Sequence, residues 1–113
     1  MLSFLLIAMT PIAPEEPTLD RMIQCDAYHW QWQLDENKAG RKVYEDTIWF
    51  LAFRDRMRAA GAAQGLDRHK ISDRMMATLK QLGNGLTPEQ NADWAKCQKE
   101  IGWAPDPGGK TIN

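Results

Sequence analysis

The chain has 113 residues, of which 43% are hydrophobic and 26% are charged. These proportions are typical of one globular domain with a modest core, rather than of a disordered or membrane-spanning chain. The formal net charge is −1 at pH 7. The molecule as a whole therefore has no strong electrostatic field that would attract nucleic acid or an anionic membrane.

The first 17 residues combine a short apolar run, residues 1–9, with a proline-rich lead-in that ends at Pro17. The run is too short to cross a membrane as a helix, but it suits the hydrophobic region of a secretory signal. The pattern is incomplete, because no basic residue precedes the run and prolines surround the best cleavage point, after Ala13. We expect an exported protein, periplasmic or extracellular, without a stable membrane span. A cytoplasmic location is the alternative.

The chain contains two cysteines, Cys25 and Cys97, which lie 72 positions apart. An even number of cysteines without metal-like spacing is typical of one disulfide in an oxidising compartment, and of two inert thiols in the cytosol. The sequence therefore predicts a Cys25–Cys97 disulfide if the protein is exported.

Two helices are predicted in the first half of the domain. Thr18 is a suitable N-cap for a first helix that runs from about Leu19 to Leu34 or a little beyond. This helix ends before Gly40, and Asn37 is an alternative end. A second helix is predicted over residues 41–60. Its middle, residues 48–53, is apolar on every face, so we expect this segment to form the centre of the core.

Two further helices are predicted in the second half. Asp67 is the expected N-cap of a third helix, which Gly83 ends. The sequence from Thr87 to Gln90 is a capping box with proline at the first helical position, and it begins a fourth helix. Apolar residues at helical spacing mark the inner faces of the third and fourth helices, namely Ile71, Met75, Leu79 and Leu82, and then Trp94, Cys97 and Ile101.

Four helices joined by short linkers predict an all-α fold, a compact antiparallel bundle over residues 18–102. Residues 1–17 form an extended lead-in, and residues 103–113 form an irregular tail that docks through the indole of Trp103. In such a bundle the start of the first helix faces the end of the fourth. Cys25 and Cys97 occupy these two ends, so their cross-link fits the predicted arrangement.

The first helix has two apolar surfaces when residues are placed at 100° intervals. Trp30 lies on a core stripe that begins at Leu19 and ends at Leu34. Cys25 and Trp32 lie on a second surface, which we expect to face the fourth helix. The two tryptophans are about 200° apart on this wheel, so one core cannot take both.

A polar stripe of Asp26, His29 and Gln33 lies between these surfaces, at spacings of three and four residues. Together with Trp30 and Trp32 it is the candidate groove for a small ligand or a metal ion. An aspartate and a histidine on one helical face suit a metal in a helical bundle. The only other histidine, His69, has no such pairing, and we assign no metal ligand and no cofactor.

Catalysis is a weaker interpretation of the same stripe. Asp26 and His29 form a possible acid–base pair, but no serine lies in a nucleophile motif and Cys25 is better assigned to the disulfide. We therefore assign no catalytic residue. A basic stretch from Arg54 to Arg74 resembles a phosphate-contacting surface, yet its interspersed acids and the neutral total argue against nucleic acid.

The five tryptophans are numerous for a chain of this length. They either fill the core or form an exposed aromatic surface for a protein partner or for self-association, because tryptophan is enriched at interface hot spots. The leading prediction is a small exported helical protein with a structural or protein-interaction role and no chemistry of its own. Small-ligand or metal binding is the alternative, and an enzyme that uses Asp26 and His29 is the third.

Overall fold

The computed structural model describes residues 16–41 and 47–103, and these residues are all-helical apart from short linkers. We number the four helices in chain order: α1 Leu19–Lys38, α2 Thr47–Ala62, α3 Arg68–Leu82 and α4 Pro88–Ile101. The predicted all-α class and the number of helices are confirmed for this part of the chain. The predictions for the signal-like segment and for most of the C-terminal tail concern residues 1–15 and 104–113, which lie outside it.

Local sequence signals fix three of the helix starts. The side chains of Thr18, Asp67 and Thr87 each accept a hydrogen bond from the backbone N–H three residues later, at 2.9–3.1 Å. The backbone N–H of Thr87 also donates to Oε1 of Gln90 at 2.9 Å, which completes the capping box. These bonds satisfy N–H groups that a helix start leaves without an intrahelical acceptor. The predicted caps of α1, α3 and α4 are confirmed.

The end of α1 lies a little beyond Leu34 and before Gly40, as predicted. The helix continues to Lys38, and Gly40 follows with φ +76°. The N–H of Gly40 donates to the carbonyl of Asn37, and the N–H of Arg41 donates to the carbonyl of Glu36. This pair of bonds is a Schellman motif, which needs a positive φ at the position of Gly40. Arg41 thus belongs to the C-terminal cap of α1, and the predicted start of α2 at this residue is wrong.

The centre of the core is α1, which packs against all three other helices. The prediction that the apolar middle of α2, residues 48–53, forms the centre of the core is wrong. Phe53 and Met57 of α2 are buried, four positions apart, whereas Ile48 and Leu51 are 76% and 56% exposed. The reason is geometric, since α2 covers α1 and α3 with one face only. Within α2, Gly61 allows this close approach, because a Cβ at its position would collide with the side chain of Ile71.

The predicted faces of α1 are correct near its start and wrong near its end. Leu19 and Ile23 are buried as expected, but Leu34 is 47% exposed. Trp32 contacts Trp94 of α4, as predicted for the second surface, and is half-buried. Trp30 is also half-buried rather than fully in the core, and its ring packs edge-on to Phe50. Neighbouring helices cover α1 on several sides near its start, so a single core stripe does not describe it.

The sulfurs of Cys25 and Cys97 lie at disulfide-bonding distance between α1 and α4, and their Cα atoms are 5.5 Å apart. Both side chains are completely buried. The predicted pair is therefore brought together by the fold.

A polar network lies beside the two cysteines at the contact between α1 and α4. The guanidinium of Arg21 donates to both carboxylate oxygens of Asp93, at 2.8 and 2.9 Å, and to Glu100 at 2.6 Å. The hydroxyl of Tyr28 donates to Asp93 at 2.9 Å. These donors, Arg21 first, hold the pKa of Asp93 below its ordinary value because they stabilise the carboxylate. Across the two described ranges, none of the helices has the length and hydrophobicity needed to cross a membrane.

Candidate functional site

His29 lies at the centre of an aromatic cluster between α1, α2 and α4. Its side chain is 3% exposed. Its ring centroid lies 5.4–6.4 Å from the centroids of five other rings, those of Trp30, Trp32, Phe50, Trp94 and Trp103. Trp103 is buried although it follows the last helical residue, and its ring lies 5.2 Å from those of Trp32 and Trp94. The indole of Trp103 is thus part of the core.

None of the five tryptophans is exposed. Trp94 and Trp103 are buried, and Trp30, Trp32 and Trp49 are half-buried. Their positions favour the interpretation of tryptophan as core filler. The large apolar side chains that do reach solvent in the described ranges are aliphatic or thioether groups, namely Leu34, Ile48, Leu51 and Met76.

The predicted polar stripe is divided between two environments. Asp26 and His29 are each 3% exposed, and Gln33 is half-buried. The amide nitrogen of Gln33 lies 3.3 Å from Nε2 of His29. His29 belongs to the aromatic cluster described above, whereas Asp26 lines a cleft whose other walls come from α2 and α3. The stripe therefore does not form a single groove with Trp30 and Trp32, neither of which lines the cleft.

The cleft is a cavity of about 230 Å³ between α1, α2 and α3. Three kinds of side chain line it: the apolar Met57, Ile71 and Met75, the polar or acidic Ser72 and Asp26, and the basic Arg54, Arg58, Arg68 and His69. Apart from Asp26, none of these residues is among the site residues predicted from the sequence. The signal for them in the sequence is the basic stretch from Arg54 to Arg74, which resembles a phosphate-contacting surface.

The charges in the cleft are unbalanced in favour of cations. Three arginines, Arg54, Arg58 and Arg68, line the cleft together with one acidic residue, Asp26. The guanidinium of Arg54 also lies over the ring of Phe50, 5.1 Å from its centroid. Arg58 lies 3.6 Å from Asp55, but both side chains of this pair are more than half exposed, so water screens their attraction. The cleft thus combines an apolar wall with several exposed basic side chains.

The start of α3 contributes to the same side of the cleft. Arg68 and His69 are its first two residues, directly after the N-cap Asp67. The backbone N–H of Lys70 donates to Asp67, and this bond lowers the pKa of the Asp67 carboxyl. A helix N-terminus carries a partial positive charge, which adds to that of the arginine side chain. Asp67 offsets part of this charge, so the arginines remain the main cationic groups.

One group of metal-ligand side chains occurs among the residues that the structure describes. Ligand atoms of Cys25, Cys97 and Glu100 lie within 4.8 Å of one another. The two sulfurs are at disulfide-bonding distance, and the carboxylate of Glu100 accepts a hydrogen bond from Arg21. With the sulfurs joined, this group lacks the thiolates that a zinc site requires. We assign it to the contact between α1 and α4.

No protein-family model matches the chain, and neither the curated proteins nor the solved structures include a significantly similar one.

Proposed function

We propose that this protein is a small exported helical protein that binds a small molecule in the cleft between α1, α2 and α3, without chemistry of its own. The observation that carries this proposal is the cleft itself, in which side chains from three helices meet beside an apolar wall. Concave sites of this composition, with a few convergent polar groups, are the usual places for small ligands. The volume of about 230 Å³ suits a compact ligand.

Export is supported by two observations. The N-terminal sequence is signal-like, and the sulfurs of Cys25 and Cys97 lie at the distance of a disulfide. Disulfides persist in oxidising compartments and are rare in the cytosol. Mass spectrometry of the protein from its native compartment, alkylated without reduction, tests this part of the proposal. We expect no alkylated cysteine, and two alkylated cysteines would contradict it.

We also propose the antiparallel arrangement predicted for the bundle. It is supported by the order of the contacts between α1 and α4. Arg21 bonds to Glu100 and Asp93, and Tyr28 bonds to Asp93. Asp35 accepts from the backbone N–H of Leu86, just before α4. The partner's number falls as the number in α1 rises, which is the order expected of two helices that run in opposite directions.

A second candidate function, binding of a protein partner or self-association, is favoured by a different surface. Ile48 and Leu51 are exposed on α2, three positions apart and therefore on one side of the helix. Exposed apolar side chains that adjoin one another mark interaction surfaces more often than isolated ones do. This surface replaces the tryptophan surface that the sequence suggested, since the tryptophans are buried or half-buried.

Thermal unfolding in the presence of size-matched neutral, cationic and anionic compounds tests the proposed ligand-binding function. Ser72→Phe places a bulky ring in the cleft from an exposed position of α3. Ala77→Phe is the matched control, because Ala77 is exposed on the same helix and does not line the cleft. We expect at least one compound to stabilise the wild type and Ala77→Phe but not Ser72→Phe. Equal stabilisation of both variants, or of none of the three proteins, would refute the proposal.

A further inference from the structure

We propose that the occupant of the cleft is a small organic anion that carries a phosphate monoester. This inference rests on the proposed ligand-binding function and adds the chemical class of the ligand. The arginines that line the cleft come from two helices: Arg54 and Arg58 from α2, and Arg68 from α3. Arg54 and Arg58 are four positions apart, so they lie on one side of α2. All three arginines are exposed residues, and they place cationic side chains on two walls of the cleft, where an occupant can contact them.

The arginines retain donors for such a ligand. A guanidinium has five N–H donors in its plane. The Cζ atom of Arg54 lies 5.1 Å from the centroid of the Phe50 ring, and one ring cannot occupy all five donors of a guanidinium. The ion pair of Arg58 with Asp55 is long, at 3.6 Å, and exposed. An anion inside the cleft can therefore compete with both existing contacts.

The donor set favours a phosphate over a carboxylate. A phosphate monoester carries a charge of about −1.5 to −2 at pH 7 and three strong acceptor oxygens, whereas a carboxylate offers two oxygens and one charge. Three guanidinium groups together with the hydroxyl of Ser72 exceed what one carboxylate can accept. The cleft's volume, about 230 Å³, leaves room for a short organic group against the wall formed by Met57 and Met75.

Asp26 provides a test of whether the ligand is an anion or a cation. Asp26 lines the same cleft, and the whole residue is 3% exposed. A carboxylate repels a bound anion, whereas the amide of an asparagine carries no charge. Asp26 therefore lowers the affinity for an anion, and it would raise the affinity for a cation.

Titration calorimetry with glycerol 3-phosphate, inorganic phosphate and glycerol tests this inference on the wild-type protein. We expect glycerol 3-phosphate to bind more tightly than inorganic phosphate, glycerol not to bind, and the affinity to fall with added salt. Equal affinity for inorganic phosphate and the ester would overturn the assignment of an ester. Binding of glycerol as tight as that of its phosphate would overturn the assignment of an anion.

Substitutions of charged residues then test whether the anion binds in the cleft. We expect Arg54→Gln and Arg68→Gln each to weaken binding of glycerol 3-phosphate by about tenfold or more, as for a lost charge-assisted hydrogen bond. Arg74→Gln is the matched control and leaves the affinity unchanged, because Arg74 is an exposed arginine of α3 that does not line the cleft. We expect Asp26→Asn to tighten binding, by roughly fivefold on Coulombic grounds.

The outcomes separate this inference from the proposed function. If Arg68→Gln and Arg74→Gln change the affinity for glycerol 3-phosphate equally, the inference is overturned. It is also overturned if Asp26→Asn unfolds like the wild type but binds the anion more weakly. If Asp26→Asn does not fold, the arginine variants still show whether the anion binds in the cleft. If a neutral or cationic compound binds the wild type but not Ser72→Phe, the cleft is a ligand site and only the anion assignment fails. If no compound of any class binds, both proposals fail.

Discussion

Replacing Cys25 and Cys97 by alanine, singly and together, tests whether the two sulfurs are bonded. Their Cα atoms are 5.5 Å apart and the cysteines are separated by 72 positions in the chain. Cross-linking two residues restricts the unfolded chain, and for a loop of this length the entropic model gives about 4 kcal/mol of stabilisation. At roughly 4 °C per kcal/mol for a domain near this size, the melting temperature should fall by about 15 °C when the bond is lost.

Urea unfolding of the wild type, both single variants and the double variant provides the assay, with and without a thiol reductant. If the sulfurs are bonded, either single replacement removes the whole cross-link, and all three variants are destabilised by a similar amount. Only the wild type then responds to the reductant, and comparing the reduced wild type with the double variant isolates the effect of the lost side-chain volume. Additive losses from the two single replacements, with a wild type that is insensitive to the reductant, would refute the bond.

Two further replacements test individual contacts. Asp93→Asn should destabilise the protein by about 1 kcal/mol at pH 7, because the hydrogen bonds from Arg21 and Tyr28 stabilise the charged carboxylate in a partly exposed position. Since the pKa of Asp93 is lowered by folding, this stabilisation is present above the carboxyl's unfolded pKa and disappears as the pH falls through its folded pKa. Urea unfolding from pH 7 downwards should show the wild type and Asp93→Asn converging in acid, and a constant gap would contradict the assignment. Thr87→Ala should cost about 1 kcal/mol by removing the N-cap of α4, while Thr87→Ser retains the cap and most of the stability. Equal unfolding midpoints for the two replacements would show that the cap contributes nothing.

Several features were predictable from the sequence because a few adjacent residues determine them. An N-cap needs one side-chain oxygen and the backbone N–H three residues later, so Thr18, Asp67 and Thr87 were recognisable in isolation. The meeting of Cys25 and Cys97 followed from their places at opposite ends of the first and last helices. These inferences needed no knowledge of how the faces of the helices pair.

Burial was harder to predict because it depends on which neighbours cover a face. The apolar run in α2 gave no sign that Phe53 would be buried and Leu51 exposed, since both positions are hydrophobic. The start of α2 was misplaced because Arg41 forms part of the backbone cap of α1. A Schellman motif is recognised from its glycine, but the glycine does not tell where the next helix begins.

The composition of the candidate site also depends on how the helices pack, and it was therefore hard to predict from the sequence. Asp26 and His29 are three positions apart on one helix and were predicted to share a groove. The structure gives them different neighbours, since α2 and α3 complete the cleft at Asp26 while aromatic rings enclose His29. The arginines of the cleft were visible in the sequence only as a basic stretch. Their convergence on one cavity is a tertiary property, which charge counting along the chain does not reveal.

Methyl NMR during titration with a binding compound tests the central claim, that the cleft between α1, α2 and α3 is a ligand site. Met57, Ile71 and Met75 line the cleft and place methyl groups in its wall, whereas Ile48 and Leu51 report on the exposed surface of α2. We predict that glycerol 3-phosphate shifts the three cleft methyl signals in proportion to occupancy and leaves the signals of Ile48 and Leu51 unchanged. Shifts confined to Ile48 and Leu51, or unchanged cleft methyls at saturating concentrations of every compound tested, would contradict the account.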